Sequence, residues 1–208
     1  MAGAFIEASC FKAANFPPED SNLPEVAFAG RSNVGKSSLI NALLNAKLAH
    51  VGGTPGKTRS INFYRTSIND INIRLVDLPG YGYASRSKSE RNEWLKLVSA
   101  YISQRKNLIL TCHLVDFRHG LLANDKELQE WLNNYKRDIF VVFTKADKIP
   151  KGKWRGTMQN YIMTQGVFSV NVPIITSTEN KNGKRAGVDE LKNFRAEFIS
   201  SRRQENLD

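Results

Sequence analysis

Cysteine is scarce in this sequence, which contains only Cys10 and Cys112 in 208 residues. Two isolated cysteines supply neither a disulfide framework nor the paired spacing of a zinc site. The histidines, His50, His113 and His119, are also too scattered to form a metal site. These shortages exclude disulfide-rich secreted domains and zinc-bound folds.

Long apolar runs are missing as well. No stretch reaches the roughly 18 apolar residues of a membrane span, so no transmembrane segment is expected. The opening MAGAFIEASCFKAANFPPED lacks the charged start and the unbroken apolar stretch of a signal peptide, since Glu7 and Lys12 interrupt it. Together with the low cysteine content, this makes a reducing cytoplasm the expected location.

Acidic residues are outnumbered, with 20 Asp and Glu against 30 Lys and Arg, so the formal net charge is +10. The composition is otherwise ordinary for a soluble globular protein. The positive excess predicts a polyanionic partner, either nucleic acid or an acidic membrane surface. A charge that only aids solubility is the alternative, because the basic residues are spread along several segments.

Short apolar runs alternate with longer amphipathic stretches, which predicts an α/β fold whose mostly parallel sheet has helices on both faces. Strands are expected in EVAFAG, LILTCHLVD, DIFVVFT and VPIITS. INFYRTS and INIRLVD, joined by Asn69-Asp70, predict an antiparallel hairpin. Helical spacing of apolar residues predicts helices over 36–46, 87–104, 121–136 and 188–201.

The chain length limits the number of domains. A chain of 208 residues can bury one sizeable core but is too short for two domains of typical size. We therefore expect a single domain at 23–203, after a lead-in at 1–22 and before a disordered tail at 204–208. A monomer is expected.

The segment GRSNVGKS, residues 30–37, has the spacing of the phosphate loop G-x-x-x-x-G-K-[ST]. Gly30 and Gly35 would let backbone N–H groups approach the phosphates of a nucleotide. Lys36 would reach the β- and γ-phosphates, and Ser37 would place its hydroxyl on Mg²⁺. An ordinary glycine-bearing turn is the alternative. Because a strand precedes the segment and a helix follows it, we interpret it as a site for a nucleoside triphosphate.

Two further motifs indicate which nucleotide is bound. In RLVDLPGYGYA, Asp77 could hold Mg²⁺ through water, and Gly80 could bring a backbone N–H to the γ-phosphate. FTKADK matches the N/T-K-x-D pattern of guanine-binding loops, with Thr144 where asparagine is more usual. Asp147 is the discriminating residue, because its carboxylate can accept from the guanine N1–H and amine, whereas adenine has no donor at N1. Lys145 would pack its stem against the base.

In this order, GRSNVGKSS, TPGKTRSINFY, RLVDLPGYGYA, VDFRHG and FTKADK resemble the bacterial EngB family, also called YihA or YsxC, among the translation-factor-related GTPases. The resemblance implies a three-layer P-loop GTPase domain with a six-stranded, mostly parallel sheet and one antiparallel edge strand. It implies GTP and GDP as ligands and Mg²⁺-dependent hydrolysis. It also implies a role in large ribosomal subunit assembly on ribosomal RNA rather than DNA, with a link to cell division and septation.

The same resemblance implies the site residues. Lys36, Thr58 and Gly80 would be catalytic, and Thr58, as the switch I threonine, would join Ser37 and the water-linked Asp77 on Mg²⁺. Thr54 is a rival for Thr58, since it lies in the same loop. Nucleotide contacts are expected from five segments: Gly30, Arg31, Ser32, Asn33, Val34, Gly35, Lys36, Ser37 and Ser38; Gly56, Lys57, Thr58, Arg59 and Ser60; Asp77, Leu78, Pro79 and Gly80; Thr144, Lys145, Ala146 and Asp147; and Thr176, Ser177 and Thr178.

Two departures from Ras-like enzymes bear on mechanism. Tyr81 follows Gly80, where Ras-like enzymes carry the glutamine that orients the attacking water. Slow intrinsic hydrolysis is therefore expected, raised when a partner completes the site. Asn33 is a feature of related GTPases in which K⁺ replaces the charge of an arginine finger; alternatively, its side chain bonds to its own loop.

Several other residues have structural interpretations. Asp116, Arg118 and His119 are expected to fix a loop, and His113, Trp94 and Trp131 are expected to pack. Trp154 could stack on an RNA base. Candidate phosphate contacts, with solvated faces as the alternative, are Lys148, Lys151, Lys153, Arg155, residues 181–185, Arg202 and Arg203.

Three functions fit these features. The first is a GTP-driven switch that docks on ribosomal RNA. The second is a small-molecule P-loop kinase, which TKAD and DLPG argue against because such kinases need neither a guanine clamp nor a switch glycine. The third is a septation-linked nucleotide-binding scaffold without an RNA partner.

Overall fold

The structure is a computed structural model that describes residues 3–51, 60–82, 88–179 and 185–205, with side chains for 3–51, 60–82, 89–179 and 185–201. The strands within these ranges are β1 (Phe5–Cys10), β2 (Glu25–Gly30), β3 (Ile61–Ile68), β4 (Ile71–Asp77), β5 (Leu108–Asp116), β6 (Ile139–Thr144) and β7 (Ile174–Ile175). The helices are α1 (Lys36–Leu44), α2 (Lys88–Gln104), α3 (Ala123–Asn134), α4 (Trp154–Gln165) and α5 (Val188–Glu205).

The described strands form one sheet in the order β1-β3-β4-β2-β5-β6-β7. β2 pairs in parallel with β4 and β5, and β5, β6 and β7 continue the parallel arrangement. β3 is antiparallel to both of its neighbours, β1 and β4, so within this sheet it alone runs against the other strands. The predicted α/β class with a mostly parallel sheet is confirmed.

The number of strands differs from the prediction. The sheet has seven strands rather than six, because residues of the lead-in add β1 beside β3. The edge strand is β1, and its antiparallel pairing with β3 gives the sheet the predicted antiparallel edge. FIEASC gave no recognisable strand pattern because only Cys10 of the six residues is buried. The division of the chain into lead-in, domain and tail stays a prediction.

The sheet lies between two layers of helices. On β2, Val26 and Phe28 pack into the cluster with α1 and α5, whereas Ala27 and Ala29 pack into the cluster with α2 and α3. All six residues of β2 are buried, as is typical of a central parallel strand. α4 packs on the same face as α3 through Tyr161. The three-layer prediction is confirmed. Among the described helices, none contains an apolar stretch that could span a lipid bilayer.

The element boundaries have local causes. The hairpin between β3 and β4 is confirmed. Its turn residues Asn69 and Asp70 have φ values of 47° and 62°, and a type I′ turn requires positive φ at both positions. α1 ends at Leu44 instead of 46 because Asn45 takes a left-handed φ of 51°. α4 was not predicted, because Tyr161 is the only residue of the helix that is buried, which leaves no apolar periodicity in the sequence.

A cluster of buried charges joins β1 to the start of β2. Glu25 is fully buried and accepts hydrogen bonds from Arg74, Arg105 and Tyr101. Arg74 also donates to both carboxylate oxygens of Glu7 on β1, each at 2.8 Å. Such paired bonds between a guanidinium and a carboxylate are stronger than neutral hydrogen bonds. The arginine therefore couples the added edge strand to the centre of the sheet.

The Glu7–Arg74 pair predicts a pH-dependent stability. Hydrogen bonding from Arg74 lowers the pKa of Glu7 below its ordinary 4.5, so the stabilisation is present above that pH and is lost as the pH falls through the lowered pKa. We expect Glu7→Gln to cost about 1 kcal/mol at neutral pH and much less near about pH 3. Urea unfolding at the two pH values measures this difference, and an equal loss at both would contradict it.

Candidate nucleotide-binding site

The predicted motifs lie at the carboxyl ends of parallel strands. The phosphate loop follows β2, Asp77 ends β4, Thr144 ends β6 and residues 176–178 follow β7. Because these strands run in parallel, their carboxyl ends share one edge of the sheet, where ligands bind in open α/β folds. The structure therefore brings these segments together at a single edge.

The backbone of the phosphate loop has the conformation that its residues suggest. Gly35, which precedes the first turn of α1, has a φ of 99°, a region that side chains rarely adopt. Asn33 has a φ of 63°, which asparagine tolerates better than most residues. The buried carbonyl of Val34 accepts a 2.7 Å hydrogen bond from the Thr144 hydroxyl. This bond, which the sequence did not predict, couples the phosphate loop to the predicted guanine loop.

Lys36 and Asp77 form a buried ion pair between the ammonium and the carboxylate. The exposed fraction is 8% for the Lys36 side chain and 2% for Asp77. Burial raises the pKa of Asp77 above its ordinary value, and the Lys36 charge offsets part of that rise. An ammonium suits phosphate oxygens and a carboxylate suits a divalent cation, so the pair has the charges that a magnesium nucleotide needs.

The phosphate loop and the end of β4 carry side-chain oxygens of the kind that bind Mg²⁺. In the part of the chain that the structure describes, no group of three or more His, Cys, Asp or Glu side chains could hold a metal ion. Mg²⁺ usually keeps several waters and is bound by few protein groups together with substrate phosphates. The hydroxyl of Ser37, which follows Lys36 in α1, and the carboxylate of Asp77, which pairs with Lys36, are groups of this kind.

The segment after Asp77 is docked on the phosphate loop. The Ser32 N–H donates to the Tyr81 carbonyl at 3.1 Å, and the Tyr81 N–H donates to the Gly30 carbonyl at 3.4 Å. A Cβ added to Gly80 would lie 3.1–3.2 Å from atoms of Ser32, so only glycine fits there without a shift. The predicted switch glycine therefore packs directly against the predicted phosphate-binding segment.

Trp94 supports the same segment from α2. Its indole N–H donates to the Pro79 carbonyl at 2.9 Å, and its ring packs with the apolar cluster on that face of the sheet. The sequence predicted packing for Trp94, but it gave no signal for this hydrogen bond.

The Asp147 carboxylate is held in place by its neighbours. The Ser177 hydroxyl donates to Oδ1 at 2.8 Å, and Lys148 Nζ lies 3.1 Å from Oδ2. Burial alone would raise the pKa of Asp147, but the hydrogen bonds from Ser177 and Lys148 lower it below its ordinary value. The group is therefore an ionised acceptor at neutral pH, as guanine recognition requires.

Lys145 and Asp116 form a second ion pair, with Lys145 Nζ 3.0 Å from Asp116 Oδ2. Arg118 donates to both Asp116 oxygens, at 2.9 and 2.7 Å. Burial would raise the pKa of Asp116, but Arg118 and Lys145 hold it well below its ordinary value. These contacts support the loop-fixing interpretation of Asp116 and Arg118, and they orient Lys145 beside the guanine loop.

The loop at 176–178 is joined to the guanine loop by the main chain. The Ala146 N–H donates to the Thr176 carbonyl at 3.2 Å, and the Thr176 N–H donates to the Phe143 carbonyl. Asp147 and Ser177 line a cleft of about 860 Å³, and Ser38 and Thr178 line one of about 760 Å³. Both volumes suit a small-molecule ligand.

Some of the predicted site residues cannot be compared with the structure. Thr54, Gly56, Lys57, Thr58 and Arg59, the predicted switch I residues, lie outside the described part of the chain. So do residues 181–184 and the side chains of Arg202 and Arg203.

Ser60 is described, and its hydroxyl donates to Asn62 at 3.0 Å. Trp154 is partly buried: it packs beside Met158 on the apolar cluster that includes Tyr161, donates to the Ile149 carbonyl and lines the same cleft as Asp147. Its stacking on an RNA base stays a prediction. Lys148 pairs with both Asp147 and Glu179, so its ammonium group lies beside the predicted guanine-recognising carboxylate.

A doubly covered parallel sheet and a phosphate loop that opens α1 define a P-loop nucleotide-binding protein. The sequence profile of a family described as "50S ribosome-binding GTPase" matches residues 25–145. A probable GTP-binding protein EngB of Bacillus velezensis is 44% identical over 180 residues, which cover 86% of this chain and 90% of that protein.

Solved structures agree with this assignment. A probable GTP-binding protein EngB has a TM-score of 0.64 at 25% identity, over 85% of this chain and 99% of the other. Era in complex with MgGDPNP and a segment of 16S ribosomal RNA has a TM-score of 0.68 at 26% identity, over 85% and 57% of the two chains. The chain belongs to the EngB family of GTP-binding GTPases.

Proposed function

We propose that this GTPase is a Mg²⁺-dependent switch in the assembly of the large ribosomal subunit, acting in the cytoplasm and linked to cell division and septation. The observation that carries the GTP-dependent part is the buried Thr144–Val34 hydrogen bond, which fixes the guanine loop against the phosphate loop. One nucleotide could therefore contact both segments.

In this proposal, each part of the site has a distinct role. Lys36 binds the β- and γ-phosphates, and Ser37, Thr58 and the water-linked Asp77 hold Mg²⁺, which when bound stabilises the developing charge on the phosphates. Gly80 contacts the γ-phosphate through its backbone N–H. The base lies against Asp147, with Thr176, Ser177 and Thr178 at its carbonyl side. The remaining predicted contact residues surround these groups.

Hydrolysis by the isolated protein is proposed to be slow. Tyr81 occupies the place after Gly80, and a tyrosine cannot orient water as a glutamine amide does. We also predict that K⁺, positioned by Asn33, supplies positive charge during hydrolysis. An unchanged hydrolysis rate when K⁺ is replaced by Na⁺ would count against the K⁺ prediction, and the left-handed backbone of Asn33 would then explain the asparagine.

The proposed partner is ribosomal RNA of the large subunit. The net charge of +10 favours a polyanion. The profile name "50S ribosome-binding GTPase" supports the large subunit. The complex of the structural relative Era with a segment of 16S ribosomal RNA supports ribosomal RNA as the class of partner. Lys151, Lys153 and Arg155 lie exposed at the start of α4 and are candidates for phosphate contacts. The protein is proposed to act as a monomer.

Binding to purified large subunits, measured with a non-hydrolysable GTP analogue, with GDP and without nucleotide, tests this partner. We expect tight binding only with the GTP analogue, and an affinity that falls steeply with salt because phosphate contacts release counterions. Equal binding in all three states, with no salt dependence, would contradict the RNA-switch proposal. That result would favour the septation-linked scaffold. A separate competition experiment tests the kinase alternative, which would be favoured if ATP displaced bound GDP as readily as GTP does.

A further inference from the structure

A buried polar network joins the segment after Gly80 to β5 and α3. Its members come from the phosphate loop, the segment 78–82, β5 and α3, and three of them are fully buried. They are Arg31, Tyr81, His113, Asp125 and Gln129. The guanine and phosphate contacts proposed above use none of the last four side chains, so the network needs a separate explanation.

The hydrogen bonds of the network have a consistent direction. The Phe168 N–H donates to Gln129 Oε1 at 3.3 Å, which orients the amide so that Nε2 donates to His113 Nδ1 at 3.1 Å. The His113 proton then lies on Nε2, which donates to the Tyr81 hydroxyl oxygen at 2.8 Å. That hydroxyl in turn donates to Asp125 Oδ1 at 2.7 Å. Every donor in this series has an acceptor.

Asp125 connects this series to the phosphate loop. Its Oδ2 accepts from the Leu122 N–H at 2.9 Å and lies 3.1 Å from Arg31 Nε, in an ion pair without hydrogen-bond alignment. Burial would raise the pKa of Asp125, but His113, the Leu122 N–H and Tyr81 lower it. Burial and the Asp125 charge raise the pKa of Tyr81 well above its ordinary value. The tyrosine therefore stays a donor and the aspartate stays an acceptor.

The main chain of Tyr81 is bonded to the phosphate loop, and this fixes the position of the preceding residue, Gly80. It exchanges hydrogen bonds with Gly30 and Ser32 of the phosphate loop. Gly80 packs on Ser32 within the contact distances given above. Because the side chain of Tyr81 is held by Asp125 and His113, neither Tyr81 nor its neighbour Gly80 can shift without breaking buried hydrogen bonds.

We propose that Asp125 and His113 are positioning residues, which hold Tyr81 so that the Gly80 N–H is already placed to detect the γ-phosphate. This inference rests on the proposed function of Gly80. Tyr81, which lacks the chemistry of a water-orienting glutamine, thereby has a role of its own. The network should favour GTP over GDP, since only GTP carries the phosphate that Gly80 would contact.

Tyr81→Phe tests the proposal, because it removes only the hydroxyl and keeps the ring. We expect the ratio of affinities for a non-hydrolysable GTP analogue and for GDP to fall about tenfold, with GDP affinity unchanged within about twofold. Titrations with fluorescent GDP and competing analogue measure both affinities. Tyr135→Phe at the end of α3, whose ring packs on Trp131, is the matched control and should keep the wild-type ratio.

Asp125→Ala separates positioning from general stability. If Asp125 acts through Tyr81, it should lower the ratio as Tyr81→Phe does, and the double variant should lose no more than either alone. Where Asp125→Ala does not fold, Gln129→Met takes its place, because it removes the donor that orients His113. The proposal would be overturned if the two substitutions lowered the affinity ratio additively, or if they weakened GDP and analogue binding equally. Failure of the wild-type protein to bind either nucleotide would instead refute the proposed function.

Discussion

Asp147→Asn is expected to lower GTP affinity by at least about a hundredfold and to shift the preference toward xanthine nucleotides. Two hydrogen bonds from guanine to an ionised carboxylate contribute about 1.5–3 kcal/mol each, and about 1.4 kcal/mol corresponds to a factor of ten. Asparagine would offer one acceptor and place an NH₂ group against the guanine amine. Xanthine carries a carbonyl at that position, which can accept from the NH₂ group.

Competition between labelled GDP and unlabelled GTP, xanthosine triphosphate and ATP measures this shift. Asp189→Asn is the matched control, because Asp189 lines the same cleft but its side chain is 89% exposed. The control should bind guanine nucleotides as the wild-type protein does. An Asp147→Asn protein that kept its guanine preference would show that the base is recognised elsewhere.

The second large effect is expected in the stability of the sheet. Glu25→Gln should lower the free energy of unfolding by about 3–5 kcal/mol, because it leaves buried arginine charge without its carboxylate. Arg105 is the group most affected, since it donates to both oxygens of Glu25, whereas Arg74 retains Glu7. Chemical unfolding followed by circular dichroism measures the change.

Glu130→Gln on the exposed side of α3 is the control, with an expected change below about 0.5 kcal/mol. Adding Arg105→Met to Glu25→Gln should recover part of the loss, because the unpaired charge is then removed. If the two losses were simply additive, the effect of Glu25→Gln would have to arise from something other than an unpaired arginine.

The sequence predicted those strands and helices whose burial produces a recognisable pattern of apolar residues. β2, β5 and β6 are continuous apolar runs because helices cover both faces of each. β1 and α4 were missed, since each buries a single residue, Cys10 and Tyr161, and no apolar periodicity can appear. An edge strand is held mainly by main-chain bonds to its neighbour, which the side-chain pattern does not record.

In the candidate site, too, some features could be predicted from the sequence and others could not. Residue spacing indicated the segments around Lys36, Asp77 and Asp147, because phosphate and guanine recognition require particular residues at short distances along the chain. The support for those segments comes from far along the sequence. The hydroxyl of Thr144 bonds to Val34, and the hydroxyl of Tyr81 bonds to Asp125. Such contacts depend on strand order and on how α3 packs, neither of which local spacing reveals.

A crystal structure of the protein with GDP and Mg²⁺ is the most direct test of the central claim, that one guanine nucleotide spans the loop at Asp147 and the loop at Lys36. The account predicts the guanine N1–H and amine at hydrogen-bond distance from the Asp147 carboxylate. It also predicts the β-phosphate within residues 30–37, with Mg²⁺ bound by Ser37. A base bound away from Asp147, or phosphates bound outside that loop, would contradict the account.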